Sequence, residues 1–193
     1  HGFKIIFDIN SLKNHQPKLP ERSLPLEVRV RMLLTALTSK QTDIILCARG
    51  GYGTSHLLSH LPWEQLGKIP QKWLVGFSDI TALQSAFFTK LGWPSLHAPM
   101  PSTKWWGKSS DKDIIALIEL FKQPKKSGLL SLTPINTKPK KTIEGNIFGG
   151  CFSVLCSLIG TPYLPKSFKN IILFLEDTQE PPEKIIRYWT QLK

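Results

Sequence analysis

The feature that most constrains this chain is the alternation, over its first hundred residues, of short apolar runs with segments of helical period. Strands of a parallel sheet are covered by helices on both faces and read as continuous apolar runs, whereas helices space apolar residues three and four apart. Gly2–Ile9 reads as a strand, and Leu24–Thr38 as a helix with Leu26, Val30, Leu33, Leu34 and Leu37 on one stripe. Thr42–Ala48 ("TDIILCA") is a second strand, ending in "RGGYGT", and a helix is expected to begin near Thr54 or Ser55. Lys72–Phe77 is the next strand and Asp79–Leu91 its helix, and Pro94–Met100 offers a further strand closed by Pro99 and Pro101. This order predicts an α/β fold with a parallel, flavodoxin-like N-terminal sheet flanked by helices.

The pattern then weakens. A helix capped by Ser110 or Asp111 is expected through about Phe121, followed by a lysine-rich connector containing Pro124, Pro134 and Pro139. New signals start near Thr142: the glycine-broken "EGNIFGG", a helix over Cys151–Ile159, a strand over Asn170–Leu175 and a helix opened by Pro181-Pro182 that runs to Lys193. They read as the beginning of a smaller C-terminal domain. The expected division is 1–105 for the N-terminal α/β domain, 106–141 for the helix and basic connector, and 142–193 for the start of the second domain. The chain opens on His1 rather than Met with a strand already under way, so it is expected to be an excerpt of a longer protein, with any targeting segment upstream.

Composition enters as a set of exclusions. Hydrophobic residues make up 41% of the 193 and charged ones 20%, a globular balance, and no apolar run approaches the roughly 18 residues of a membrane span. The net charge of +11 invites a nucleic-acid reading, but many of the lysines fall between Lys104 and Lys141, in the connector. With no aromatic RNA-binding motif and scattered tryptophans, no specific nucleic-acid partner is expected. Cys47, Cys151 and Cys156 are odd in number, lie in apolar surroundings and lack zinc-ligand spacing, so buried free thiols are expected.

Ligands of doubly wound sheets bind at the C-terminal ends of strands, where two loops fall, "ARGGYGT" at 48–54 and "GFSD" at 76–79. The first lacks both the Lys-Ser/Thr of a phosphate loop and dinucleotide-binding glycine spacing. Gly50 and Gly51 allow close backbone approach, so their N–H groups can face an anion or oxyanion, and an ordinary tight turn is the other reading. Ser78 is either a helix cap or a nucleophile held at a strand-to-helix turn. Together the loops offer Ser78 with the N–H groups of Asp79 and of Gly51 or Gly50 in one crevice.

The stretches "ARGGYGTSHLL", "WLVGFSDITAL", "LHAPM", "EGNIFGGCFSVLCSLIGTPYLP" and "ILFLEDTQEPPEKIIRYWTQL" together resemble the LD-carboxypeptidase family, serine peptidases that include muramoyltetrapeptide carboxypeptidase and the microcin C self-immunity peptidase. The resemblance runs in order over most of residues 42–193. It implies a parallel α/β domain, a smaller C-terminal domain and a Ser-Glu-His triad at their junction, with homodimers and no metal or other cofactor. Ser78 matches the nucleophile and Glu176 the triad glutamate, with the amides of Asp79 and of Gly51 or Gly50 as the oxyanion hole. The family histidine lies downstream of the "ED" strand, and no position through Lys193 matches it, so the 193 residues alone are expected to be inactive. His56, His60 and His97 are expected to be structural. His56 stands where the family often has arginine, Ala98 where it often has glycine, and Cys151 where "GGN" is usual.

The resemblance implies a cytoplasmic enzyme that cuts the L,D bond before the terminal D-alanine of murein tetrapeptide in cell-wall recycling, with no membrane partner. The alternatives are a microcin C-type peptidase of the same family and an inactive remnant or noncatalytic binding module. For Glu176 taken without the resemblance, a solvated acid at a strand end is the other reading, with Asp177, Glu180 and Glu183 close by.

Overall fold

The computed structural model of the chain describes residues 2–7, 24–103, 106, 112–123 and 142–193. Three short parallel strands, β1 (Ile44–Leu46), β2 (Trp73–Gly76) and β3 (Ser95–His97), form one sheet in the order β1-β2-β3. Their register pairs Ile45 with Leu74 and Gly76 with His97. The helices of this half are α1 (Leu26–Thr38), α2 (Trp63–Leu66) and α3 (Thr81–Leu91). After α4 (Lys112–Lys122), a second parallel sheet pairs β4 (Asn146–Cys151) with β5 (Ile171–Glu176), followed respectively by α5 (Phe152–Ser157) and α6 (Pro182–Leu192). The fold is the α/β arrangement of parallel strands and flanking helices that the sequence predicts.

Several expectations need correction. Gly2–Phe7 belongs to no sheet among the described residues, and Ile5, Ile6 and Phe7 are exposed. An apolar run becomes a strand only where a neighbour accepts its backbone bonds. Here Phe3 rests edge-on against Phe121 of α4, with ring centroids 5.9 Å apart. α1 starts at Leu26 rather than Leu24, because Pro25 takes ψ 147° and a proline disfavours helical geometry in the residue before it. The helix expected from Thr54 is a 3-10 segment, Ser55–His60, followed by the single turn of α2. The helix expected through Ile159 ends at Ser157.

The glycine-broken "EGNIFGG", to which the sequence assigns no element, is for the most part strand β4. Its glycines permit contacts that side chains would block. A Cβ at Gly149 would sit 1.7 Å from Phe174 O, and one at Gly150 would sit 2.6 Å from Thr81 Oγ1. Asp8 and Ile9 of the predicted first strand, the predicted cap at Ser110 or Asp111 and the basic connector over 124–141 lie outside the described residues.

One apolar core spans both sheets. Leu74 of β2 and Ala82, Ala86 and Phe87 of α3 are fully buried, in one cluster with Leu37, Leu58 and Leu66, with Phe148 of β4, and with Leu155 of α5 and Leu158 just after it. Burying each such large side chain stabilises the fold by roughly 1.5–3 kcal/mol. The Ser85 hydroxyl of α3 donates to Tyr163 O at 2.7 Å, tying the halves together. Among the described residues no helix is long and apolar enough to cross a membrane.

Candidate active site

The C-terminal ends of β1, β2 and β3 converge, as parallel topology requires. β2 leads into Phe77, which is extended (φ −152°, ψ −174°), and then into Ser78, whose φ is +61°. Left-handed backbone costs a non-glycine residue about 1–2 kcal/mol, so this turn is held by its surroundings rather than by local preference. Those surroundings are evident. Gln84 of α3 donates its side-chain amide to Gly76 O at 2.9 Å and to Leu96 O at 3.0 Å, and Ala98 N–H donates to Gly76 O at 3.1 Å. The ends of β2 and β3 are thereby clamped on either side of the turn.

The glycine loop after β1 packs directly onto this turn. A Cβ at Gly50 would lie 3.1 Å from Ser78 Cβ and 3.2 Å from Ser78 Oγ, so any larger residue there would press on the hydroxyl. Asp79 fixes the loop from below. Its buried carboxylate accepts from Thr54 N–H at 2.9 Å and from the Thr54 hydroxyl at 2.5 Å. Arg29 of α1 comes to the same place, its guanidinium lying 3.3 Å from where a Gly53 Cβ would be. Burial lowers the Arg29 pKa, and the Asp79 charge opposes that shift.

These contacts bear on the cap reading of "FSD". Neither Ser78 nor Asp79 makes a side-chain capping bond to the helix that follows. The Asp79 carboxylate is used across the crevice on Thr54. Ile80 N–H closes the first turn onto Phe77 O, so the Asp79 amide precedes the first bonded amide of the turn. Among the described residues, the amides of Gly50 and Gly51 donate no hydrogen bond. Gly50 touches Ser78, while Gly51, at φ +140°, lies one residue further out beside Arg49.

Glu176 ends β5, opposite Cys151 of β4 in the register. The Cys151 amide donates to Thr81 Oγ1 at 3.0 Å, so the strand that carries Glu176 is joined through β4 to the first residue of α3, three residues after Ser78. The Glu176 carboxyl is raised above its usual pKa by burial first and by the adjacent Asp177 second. Oε1 is buried without a hydrogen bond among the described residues, and His97 Nε2 lies 3.5 Å from it. Sequence reasoning gave His97 no connection to Glu176; the "LHAPM" motif, whose His97 is the last residue of β3, is the signal that places it at a strand end.

The other described histidines, His56 and His60, are elsewhere. The His56 ring lies edge-on to Tyr52, and His60 faces α1. Among the described residues no hydrogen bond joins a histidine to Ser78 Oγ, and no group of three or more His, Cys, Asp or Glu side chains is arranged to hold a metal ion. Cys151 and Cys156 are buried, Cys47 is half-buried, and all three are free thiols. Burial pushes the Cys47 thiol up to about 12, which makes it a poor nucleophile.

With this geometry in hand, comparison with known proteins is specific. Residues 1–98 match the LD-carboxypeptidase N-terminal domain and residues 144–193 the LD-carboxypeptidase C-terminal domain. The "Probable murein peptide carboxypeptidase" of Bacillus subtilis is 33% identical over 79% of this chain and 48% of its own length. The murein tetrapeptide carboxypeptidase of Pseudomonas aeruginosa is 29% identical over 86% of this chain and 55% of its own. The crystal structure of muramoyltetrapeptide carboxypeptidase from Oxalobacter formigenes superimposes with a TM-score of 0.75 at 30% identity, covering 93% of this chain and 58% of that one. The chain thus spans about half the length of the curated relatives it matches.

Proposed function

The chain belongs to the LD-carboxypeptidase family, and from that premise we propose that it carries the nucleophile and the acid of a serine carboxypeptidase that cuts the L,D-peptide bond before the terminal D-alanine of murein tetrapeptide. The single observation that carries this reading is Ser78 in a left-handed turn at the end of β2, with Gly50 packed against its hydroxyl. A strained serine between two strand-end loops presents Oγ to a carbonyl, with amide donors on both sides.

In the proposed mechanism Ser78 Oγ attacks the peptide carbonyl as a histidine takes its proton. The carbonyl oxygen becomes an oxyanion, and the amides of Asp79 and of Gly50 or Gly51 receive it. Collapse expels D-alanine, whose nitrogen takes the proton from the imidazolium, and water then releases the acyl group by the same steps in reverse roles. Glu176 holds the histidine in its working tautomer and stabilises the imidazolium. That histidine is expected downstream of β5, as the family resemblance implies. Cytoplasmic location, a role in cell-wall recycling, homodimerisation and the domain division at 105 and 141 belong to the same proposal.

The test is release of D-alanine by the whole protein that contains this chain. Ser78→Ala is expected to lower kcat by roughly 10⁶-fold, the scale seen when a nucleophile of a serine triad is removed. Undiminished turnover in that variant would reject the mechanism. A peptide-nucleotide amide assayed in parallel distinguishes the murein substrate from the microcin C type: preference for the nucleotide conjugate would overturn the substrate assignment and leave Ser78 in place.

A further inference from the structure

Glu176 raises a question that its assigned role does not answer. A carboxylate that orients a histidine uses one oxygen, and the other must be satisfied or it will rotate and compete. Oε1 is buried and makes no hydrogen bond among the described residues. The acid next to it, Asp177, is already engaged: Oδ2 accepts from Ser153 N–H and Oδ1 from Thr178 N–H, both at 2.8 Å. Cys151, opposite on β4, sends its thiol toward Ser153 and Asp177. The protein group that lies beside Oε1 is His97 Nε2, 3.5 Å away.

His97 is itself well held. Its ring packs edge-on to Phe77 at 6.0 Å between centroids and to Phe174 at 5.0 Å, one ring from each sheet. The register sets it opposite Gly76, two residues before Ser78. Burial lowers its pKa, which favours a neutral imidazole with one N–H to give. A neutral donor satisfies the carboxylate without cancelling the negative charge that an imidazolium needs. A separation of 3.5 Å closes to a hydrogen bond with a small ring rotation, and such bonds are often long before substrate binds.

We infer that His97 is a positioning residue: its Nε2–H holds Oε1 of Glu176, so that Oε2 is the oxygen presented to the catalytic histidine. This rests on the reading of Glu176 as the acid of the Ser78 mechanism. His97 thereby links β3 of the nucleophile sheet to β5 of the second sheet and sets where the acid stands relative to Ser78.

The experiment compares wild type, His97→Leu, His97→Gln and Ser78→Ala in the whole protein, with kcat and KM measured for D-alanine release from murein tetrapeptide. His97→Leu is expected to lower kcat by at least about tenfold and up to roughly 100-fold, the scale of a misplaced catalytic group, with KM nearly unchanged. His97→Gln, which can still donate to Oε1, is expected to recover most of the loss. Wild-type kcat in His97→Leu, a change confined to KM, or equal loss in both His97 variants would overturn the inference, the last because ring packing would then be the whole role. A loss in Ser78→Ala beside an unaffected His97→Leu defeats only the positioning role; an unaffected Ser78→Ala defeats the function itself. A second arm needs no turnover. The Glu176 carboxyl, faced by His97 from β3, Cys151 from β4 and Asp177 from its own chain, is titrated by carbon-13 NMR. Its midpoint is expected to rise in His97→Leu and return in His97→Gln, and an unmoved midpoint in His97→Leu would overturn the inference.

Discussion

Around Ser78 the first sheet closes on itself. Asp79 is buried and doubly bonded to Thr54, Gly50 lies against the serine, and Gln84 clamps the ends of β2 and β3. Around Glu176 the structure is more open. No residue of β5 is fully buried, α6 buries none of its residues, and the acid faces the first sheet through His97. Ser78 is therefore held by dense contacts within one half, whereas Glu176 is held by a few contacts between halves. Such a division lets the first half fix the strained turn while the second sets the distance across the crevice.

The contrast can be broken most severely at Gly149. A methyl group there collides with the Phe174 carbonyl, so Gly149→Ala is expected to separate β4 from β5 and cost about 4 kcal/mol or more, read by denaturant unfolding. If the ribbon is the loosely held region, hydrogen exchange in that variant should speed up in β4 and β5 before β2. Asp79→Ala probes the dense side. It leaves the Thr54 N–H and hydroxyl buried without their acceptor, and the expected loss is roughly 2–3 kcal/mol in the same unfolding measurement. A loss below that expected for an exposed residue would show that the pin between the loops matters little.

A gain is expected at the strained turn. Ser78→Gly removes the left-handed penalty and should raise stability by about 1 kcal/mol, visible as a higher melting temperature, while abolishing turnover. Unchanged stability would mean that the turn stores no strain. The smallest effect concerns pH. Burial and Asp177 raise the Glu176 carboxyl above its ordinary value of 4.5, so the folded state holds that proton more tightly than the unfolded chain. The stability this provides is fully present below the unfolded value and is lost as pH rises through the folded one. Glu176→Gln stays neutral, so its melting temperature relative to wild type should climb as pH is raised from below 4.5 to neutrality. A flat difference would place the carboxyl in water.

The same contrast explains what was legible in the residues. β2, α3 and the serine turn were readable because a parallel strand and its helix have local signatures: "WLVG" is continuously apolar, and Ile80, Leu83 and Phe87 follow at helical spacing. β4 was not legible because glycine normally weakens a strand, and the reason for glycine here is the Phe174 carbonyl, 25 residues away in sequence from Gly149. The Gly2–Phe7 segment failed in the opposite sense, since apolar composition cannot supply a neighbouring strand.

By itself the sequence determined the order of βα units, the α/β class and the nomination of Ser78, because periodicity and turn chemistry act over a few residues at a time. Only the tertiary structure decided that Asp79 serves Thr54 rather than its own helix, that Gly50 rather than Gly51 touches the serine, and that His97 stands beside Glu176. Each of those facts joins residues on different elements. Their partners are chosen by strand register and by what remains unsatisfied once the core has closed, and neither is written in the neighbours of any one residue.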